Sequence, residues 1–171
     1  ALASSWNVPA VWAASELGPG QVLARLRELG LSSLDNSAEH YGPAIALGDG
    51  EVRLLDLAAA YATLARGGAY LPRRVLAPEA AALITQVLGD AHAREPSFGG
   101  ASAFDVGFPA AFKTGTSKGF RDNLAVGYTR EVTVAVWAGN FDGRPMRRLG
   151  GVAGAGPIAR EILQADRKSV V

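Results

Sequence analysis

The sequence has no cysteine, only two histidines and only three lysines among its 171 residues. Without cysteine there is no disulfide, no thiolate nucleophile and no Cys-based metal site. His40 and His92 stand far apart with no H-x-x-x-H pair, so neither a metal nor another cofactor is expected. No apolar run reaches the ~18 residues that suggest a membrane span. The start, Ala1-Leu2-Ala3-Ser4, lacks the charged head and long apolar stretch of a signal peptide. A formal net charge of +1 gives no electrostatic reason to expect nucleic acid or an acidic membrane surface as a partner. Gly-Lys never occurs, which excludes the Walker phosphate loop.

What is present is apolar material: 49% of the residues are hydrophobic, enough for the core of one domain or a large piece of one. Helical periodicity predicts helices over 9–17, 21–29, 54–66, 78–88 and 157–164. Val11, Trp12 and Ala14 should face inward on the first of these, and Val22, Leu23, Leu26 and Leu29 on the second. A stripe of Leu54, Leu57, Ala58, Tyr61, Leu64 and Ala65 marks the third. Residues 31–50 and 89–107 read as loops, rich in Gly, Ser, Asp and Pro. Alternation then predicts three strands over 110–117, 123–129 and 132–139, the last two joined as a hairpin by Arg130-Glu131. Helices first and an antiparallel sheet later indicate an α+β architecture, a sheet packed between helices. Residues 166–171 read as a disordered tail. Gly154-Ala155-Gly156-Pro157-Ile158-Ala159 matches the dinucleotide pattern G-x-G-x-x-A, but Arg147-Arg148-Leu149-Gly150-Gly151 before it is a poor strand.

Two short motifs carry chemistry. Lys113-Thr114-Gly115-Thr116-Ser117 reads as a strand edge facing a cleft. Gly115 has no Cβ, so a substrate backbone can approach and pair like an added strand. Thr114 and Thr116 are expected on opposite faces, with Thr116 offering a hydroxyl and a backbone N–H to a carbonyl or carboxylate. Lys113 would set a positive potential there; the plain alternative is a snorkelling lysine at a strand end. The second motif is Ser5-Trp6-Asn7 ahead of Pro9. An extended loop would put Ser5 and Asn7 on one side, although either residue would also serve as a helix cap.

S-x-N followed by K-T-G resembles the active-site serine acyltransferases, which include penicillin-binding proteins and class A β-lactamases. The resemblance covers the chain: "SWNVPAV", "ALGDGEVRLLDLAAAYATLARGGAYLPRRVL" and "FKTGTSKGFRDNLAVGYTREVTVAVWAG" are similar to the transpeptidase domain of class A penicillin-binding proteins. The strand is most like that of the 1C branch, although Asn123-Leu124 stands where Ala-Trp is usual. The resemblance implies a penicillin-binding-protein/serine β-lactamase-like fold and a peptidoglycan D,D-transpeptidase that works through an acyl-serine. It implies catalytic roles for three residues. Ser5 relays a proton to the leaving amine, Asn7 holds the substrate amide and orients the lysine, and Lys113 poises Ser5 and attracts the substrate carboxylate. Trp6, Thr114, Gly115, Thr116 and Ser117 would bind substrate, with the Thr116 N–H as half of the oxyanion hole.

The same resemblance implies D-Ala-D-Ala-type stem peptides and β-lactams as ligands, and a membrane-anchored parent at the periplasmic face of the bacterial inner membrane. That parent would also be a glycosyltransferase. One element of the family signature is missing. Lys113, Lys118 and Lys168 are preceded three positions earlier by Ala110, Gly115 and Ala165, so S-x-x-K does not occur. The chain is therefore expected to be the C-terminal portion of one transpeptidase domain, incomplete at its N-terminus, with its partner an upstream part that carries S-x-x-K. A serine β-lactamase is the enzymatic alternative, but no glutamate stands in E-x-x-L-N. A non-catalytic penicillin-recognising interaction module is the other.

Overall fold

The computed structural model describes residues 1–99, 104–146 and 150–168. Helices α1 (Asn7–Leu17) and α2 (Pro19–Glu28) are separated by Gly18 alone. Its φ of 83° is a backbone state that glycine adopts without a Cβ clash. A short helix α3 (Ala38–Tyr41) and a 3₁₀ segment (Gly42–Leu47) occupy the stretch expected to be loop. Ser37 supplies the signal for α3, accepting the His40 N–H as its N-cap. With α4 (Leu54–Ala65), these elements enclose a core of Leu23, Leu31, Leu34, Tyr41, Ile45 and Ala60, lined by Val22, Leu26 and Leu29 as their spacing predicts. On α1 only Ala14 is fully buried, and Trp12 is 65% exposed rather than inward. That helix packs chiefly on the 3₁₀ segment and α2, and its Trp12 side stays open.

Two residue pairs form a small ribbon, β1 (Ala69–Tyr70) with β2 (Arg73–Arg74). Helix α5 (Pro78–Gly89) follows, and then α6 (Ala91–Phe98) inside the expected loop. Pro96 hides α6 from a sequence reading because proline breaks the interior hydrogen-bond ladder. Asp90 marks its start, accepting the Ala93 N–H at 3.0 Å. Residues 100–103 of that loop lie outside the described residues.

The sheet is antiparallel in the order β3 (Ala111–Thr116), β4 (Asp122–Tyr128), β5 (Thr133–Gly139). Register runs from Ala111↔Tyr128 to Thr116↔Asn123, and from Asp122↔Gly139 to Tyr128↔Thr133. Alternation divides its side chains between two layers. Phe112 joins Phe104, Val106 and Leu163 on one face, and Ala125 and Val136 meet Ala155 and Ala159 there. Ala111 and Tyr128 meet Leu88, Tyr61, Leu64 and Ile84 on the other. Helix α7 (Ala155–Lys168) covers the first face, while α4 and α5 cover the second. The expected sheet between helices is what forms. Helix α7 is longer than predicted at both ends: 166–168 belong to it and not to a tail, while 169–171 lie outside the described residues. Ala155, Ala159 and Leu163 recur every fourth residue and are all buried, which anchors the helix along its length.

Among the described residues the outer edges of β3 and β5 pair with no strand. Leu55 is 80% exposed at an open groove between α4 and the β5 edge, with Ala58, Ala59 and Val132 along its walls. Unpaired edges beside apolar surface template association. The isolated 171-residue chain should therefore aggregate or unfold without cooperativity. Sedimentation and a thermal melt check this; a cooperative, monomeric transition would contradict it.

Candidate active site

Lys113 stands in the middle of β3, on the face opposite Phe112. Its ammonium donates to Ser5 Oγ, 108 residues away in sequence, and to the Thr114 carbonyl at 2.7 Å. An ammonium has three N–H groups, so one remains without a partner among the described residues. No carboxylate pairs with it there either. Burial pushes its pKa below the usual lysine range, because desolvation penalises the charged form. An opposite charge brought within about 4–6 Å would favour its charged form again. The snorkelling alternative does not hold, since the head group is turned in toward Ser5.

Ser5 is held in an unusual backbone state, with φ 54°. Outside glycine this conformation costs about 1–2 kcal/mol, so the surroundings must fix it. The Ser5 N–H donates to Leu2 O and the Trp6 N–H to Ala1 O, both at 3.1 Å. Ser4, buried beside it, donates its hydroxyl to Ala93 O on α6 at 2.6 Å. Helix α6 thus pins the turn that carries Ser5, a role no sequence signal exposed. Ser5 is not a helix cap: the N-cap of α1 is Trp6, without a side-chain bond, and Asn7 is already helical. Nor is the loop extended, since Ser5 lies in the left-handed region. Ser5, Trp6, Asn7, Val8 and Pro9 line an open cleft, and Trp6 is 54% exposed at its wall. The exposed Asn7 side chain has no hydrogen-bond partner among the described residues.

Thr114 and Thr116 correct the expectation of opposite faces. A regular strand has period two, so residues two apart share a face. Both touch the segment that leads into α7: Gly151 N–H donates to Thr116 Oγ at 2.9 Å, and a Cβ on Gly151 would lie 3.1 Å from Thr114 Cβ. Lys113 and Gly115 occupy the other face. A Cβ on Gly115 would meet only Leu124, at an ordinary 3.5 Å, so internal packing does not demand glycine there. The Ser117 hydroxyl accepts the Asp122 N–H at 2.8 Å and closes the β3–β4 connection. Asn123, at the unusual position, is wholly buried beneath Gly154. The arrangement brings Ser5 and Lys113 together beside an open strand edge, with Trp6 and Asn7 on the flanking helix turn.

No family model matches the chain. Over 173 aligned positions, 95% of this chain, it is 32% identical to penicillin-binding protein 1C of Escherichia coli (strain K12), and it spans 22% of that protein's length. Its fold is similar to the transpeptidase domain of FtsI4 D,D-transpeptidase from Legionella pneumophila, with a TM-score of 0.69 at 22% identity, over 97% of this chain and 68% of that one. The helix-flanked antiparallel sheet, the joined S-x-N and K-T-G motifs and these likenesses agree: the chain belongs to the penicillin-binding proteins and has the β-lactamase-like fold of that transpeptidase domain.

Proposed function

We propose that this chain supplies the S-x-N and K-T-G half of a peptidoglycan D,D-transpeptidase site, as the C-terminal portion of one domain. The nucleophile is the serine of an S-x-x-K motif on an upstream segment of the same domain. That serine attacks the carbonyl of a D-Ala-D-Ala-type stem peptide, the terminal D-alanine leaves as an amine, and an amine of a second stem peptide takes the acyl group. Ser5 passes the proton to the leaving nitrogen, Asn7 holds the substrate amide, and Lys113 keeps Ser5 poised while drawing in the terminal carboxylate. Thr114 and Thr116 bind that carboxylate from the strand, and the Thr116 N–H faces the developing oxyanion. The substrate backbone runs along the open edge of β3, where Gly115 leaves room and Ser117 and Trp6 bound the cleft.

The observation that carries this reading is the Lys113–Ser5 hydrogen bond, a lysine without a counter-ion turned onto a serine in a strained backbone state. The complete protein is placed at the periplasmic face of the bacterial inner membrane, anchored by a segment outside this sequence and joined to a glycosyltransferase. No helix among the described residues is long and apolar enough to cross a membrane.

The test is labelled benzylpenicillin added to the complete protein. A stable covalent adduct at one per molecule, lost on mutating the S-x-x-K serine, is expected. Rapid hydrolysis of the antibiotic would make the protein a β-lactamase instead. Reversible binding with no adduct would leave a penicillin-recognising module without catalysis.

A further inference from the structure

The segment Gly150-Gly151-Val152-Ala153-Gly154-Ala155-Gly156 carries four glycines, and the reaction outlined above uses none of them. Close approach explains three. A Cβ on Gly151 would come within 2.7 Å of the Gly115 carbonyl oxygen and 2.8 Å of the Leu124 carbonyl oxygen. On Gly154 it would lie 2.5 Å from Asn123 Oδ1, and on Gly156 3.0 Å from the Phe104 ring. The segment is wound on itself, with Ala153 and Gly154 donating to Gly150 O and Gly156 donating to Gly151 O at 2.8 Å. Its seat is the backbone of β3 and β4 at Gly115 and Leu124. From there the Gly151 N–H reaches Thr116 Oγ at 2.9 Å.

That bond fixes which role the hydroxyl plays. A threonine hydroxyl has one hydrogen and two lone pairs. Gly151 takes a lone pair, and no described group accepts the hydrogen. The O–H of this exposed residue is therefore left to donate outward at the end of the strand. A donating hydroxyl suits a carboxylate, which only accepts.

We propose that Gly151 is a positioning residue, holding the Thr116 hydroxyl as a donor to the carboxylate of the incoming ligand; this rests on the carboxylate site proposed above. Gly151 is there because a Cβ would meet the Gly115 and Leu124 carbonyl oxygens of β3 and β4, while Gly154 and Gly156 let the segment settle over Asn123 and Phe104.

The test compares acylation of the complete transpeptidase by benzylpenicillin and by its methyl ester, which lacks the carboxylate. Gly151→Ala should slow benzylpenicillin about tenfold, the scale of one hydrogen bond to a charged group, and leave the ester nearly unchanged. Gly150→Ala should behave like the wild type, because its Cβ would meet Thr116 Oγ at an ordinary 3.7 Å. Thr116→Val should match Gly151→Ala, Thr116→Ser should be faster than Thr116→Val with benzylpenicillin because it restores the hydroxyl, and the Gly151→Ala/Thr116→Val double variant should be no slower than the slower single. Equal slowing of both substrates by Gly151→Ala, or losses that multiply in the double variant, would overturn the inference. A Thr116→Val protein that treats both substrates like the wild type would instead remove the carboxylate role itself. Should Gly151→Ala fail to fold, amide exchange decides. The Gly151 N–H should exchange about tenfold faster in Thr116→Val than in Thr116→Ser, and equal rates would sink the proposal.

Discussion

Lys113→Ala is expected to slow acylation of the complete protein by benzylpenicillin roughly 100-fold or more, the scale of a removed electrostatic or acid–base group. Alanine removes both the donor to Ser5 Oγ and the positive charge beside it. Lys113→Arg keeps the charge but not the compact shape that reaches Ser5 and Thr114 O together, so it is not neutral either. Lys113→Arg and the wild type differ in their pH dependence. Burial lowers the Lys113 pKa, so its charge is lost at a lower pH than that of a free lysine, and wild-type acylation should fall on that alkaline limb. Arginine stays charged, so in Lys113→Arg the limb moves beyond the accessible range. The sign for stability follows. The unfolded chain binds more protons between the lowered folded pKa and the ordinary lysine value, so this residue's penalty on folding fades as pH rises through that window. Unchanged acylation kinetics in a folded Lys113→Ala protein would take Lys113 out of the site.

Ser5→Ala and Ser5→Gly are expected to be equally slow, each losing roughly 100-fold in acylation because each lacks the hydroxyl that Lys113 poises. Their stabilities should part. Both lose the bond from Lys113 to Ser5 Oγ, but Ser5 has a φ of 54°, where alanine carries a Cβ cost and glycine does not, so Ser5→Gly should be about 1 kcal/mol more stable than Ser5→Ala. Two variants that differ in stability and not in rate separate the backbone state from the hydroxyl. Asn7→Ala, by contrast, should chiefly weaken substrate engagement, raising KM more than it lowers kcat. Wild-type acylation by Ser5→Gly would reduce Ser5 to a turn residue.

Much of this protein was written locally. The 3.6-residue stripe of α4, the proline that opens α5 and the alternation of β3, β4 and β5 placed those elements to within a residue or two, because burial of one face repeats with the backbone period and proline suits a first helical turn. The two motifs also stood in plain view, and their residue types already suggested an acyl-transfer site with a missing nucleophile. Local reading failed where a short-range signal was ambiguous. Pro96 concealed α6, and a Ser-Trp-Asn stretch before a proline looked like a cap although Trp6 takes that place. Alternation, applied correctly, also puts Thr114 and Thr116 on one face, so that correction needed only the strand's period.

Only the tertiary structure decided the rest. Nothing near Ser5 in sequence says that Lys113 donates to it, because the contact is closed by the packing of elements more than a hundred residues apart. Nothing near Ser4 says that α6 fixes the turn beside it, since its partner at Ala93 lies 89 residues on. Gly154 and Gly156 match a dinucleotide pattern by spacing alone. Their reason appears only when Asn123 is seen beneath Gly154 and the Phe104 ring beside Gly156, since a glycine required by close approach is set by its neighbour in space, and a linear pattern does not record that neighbour.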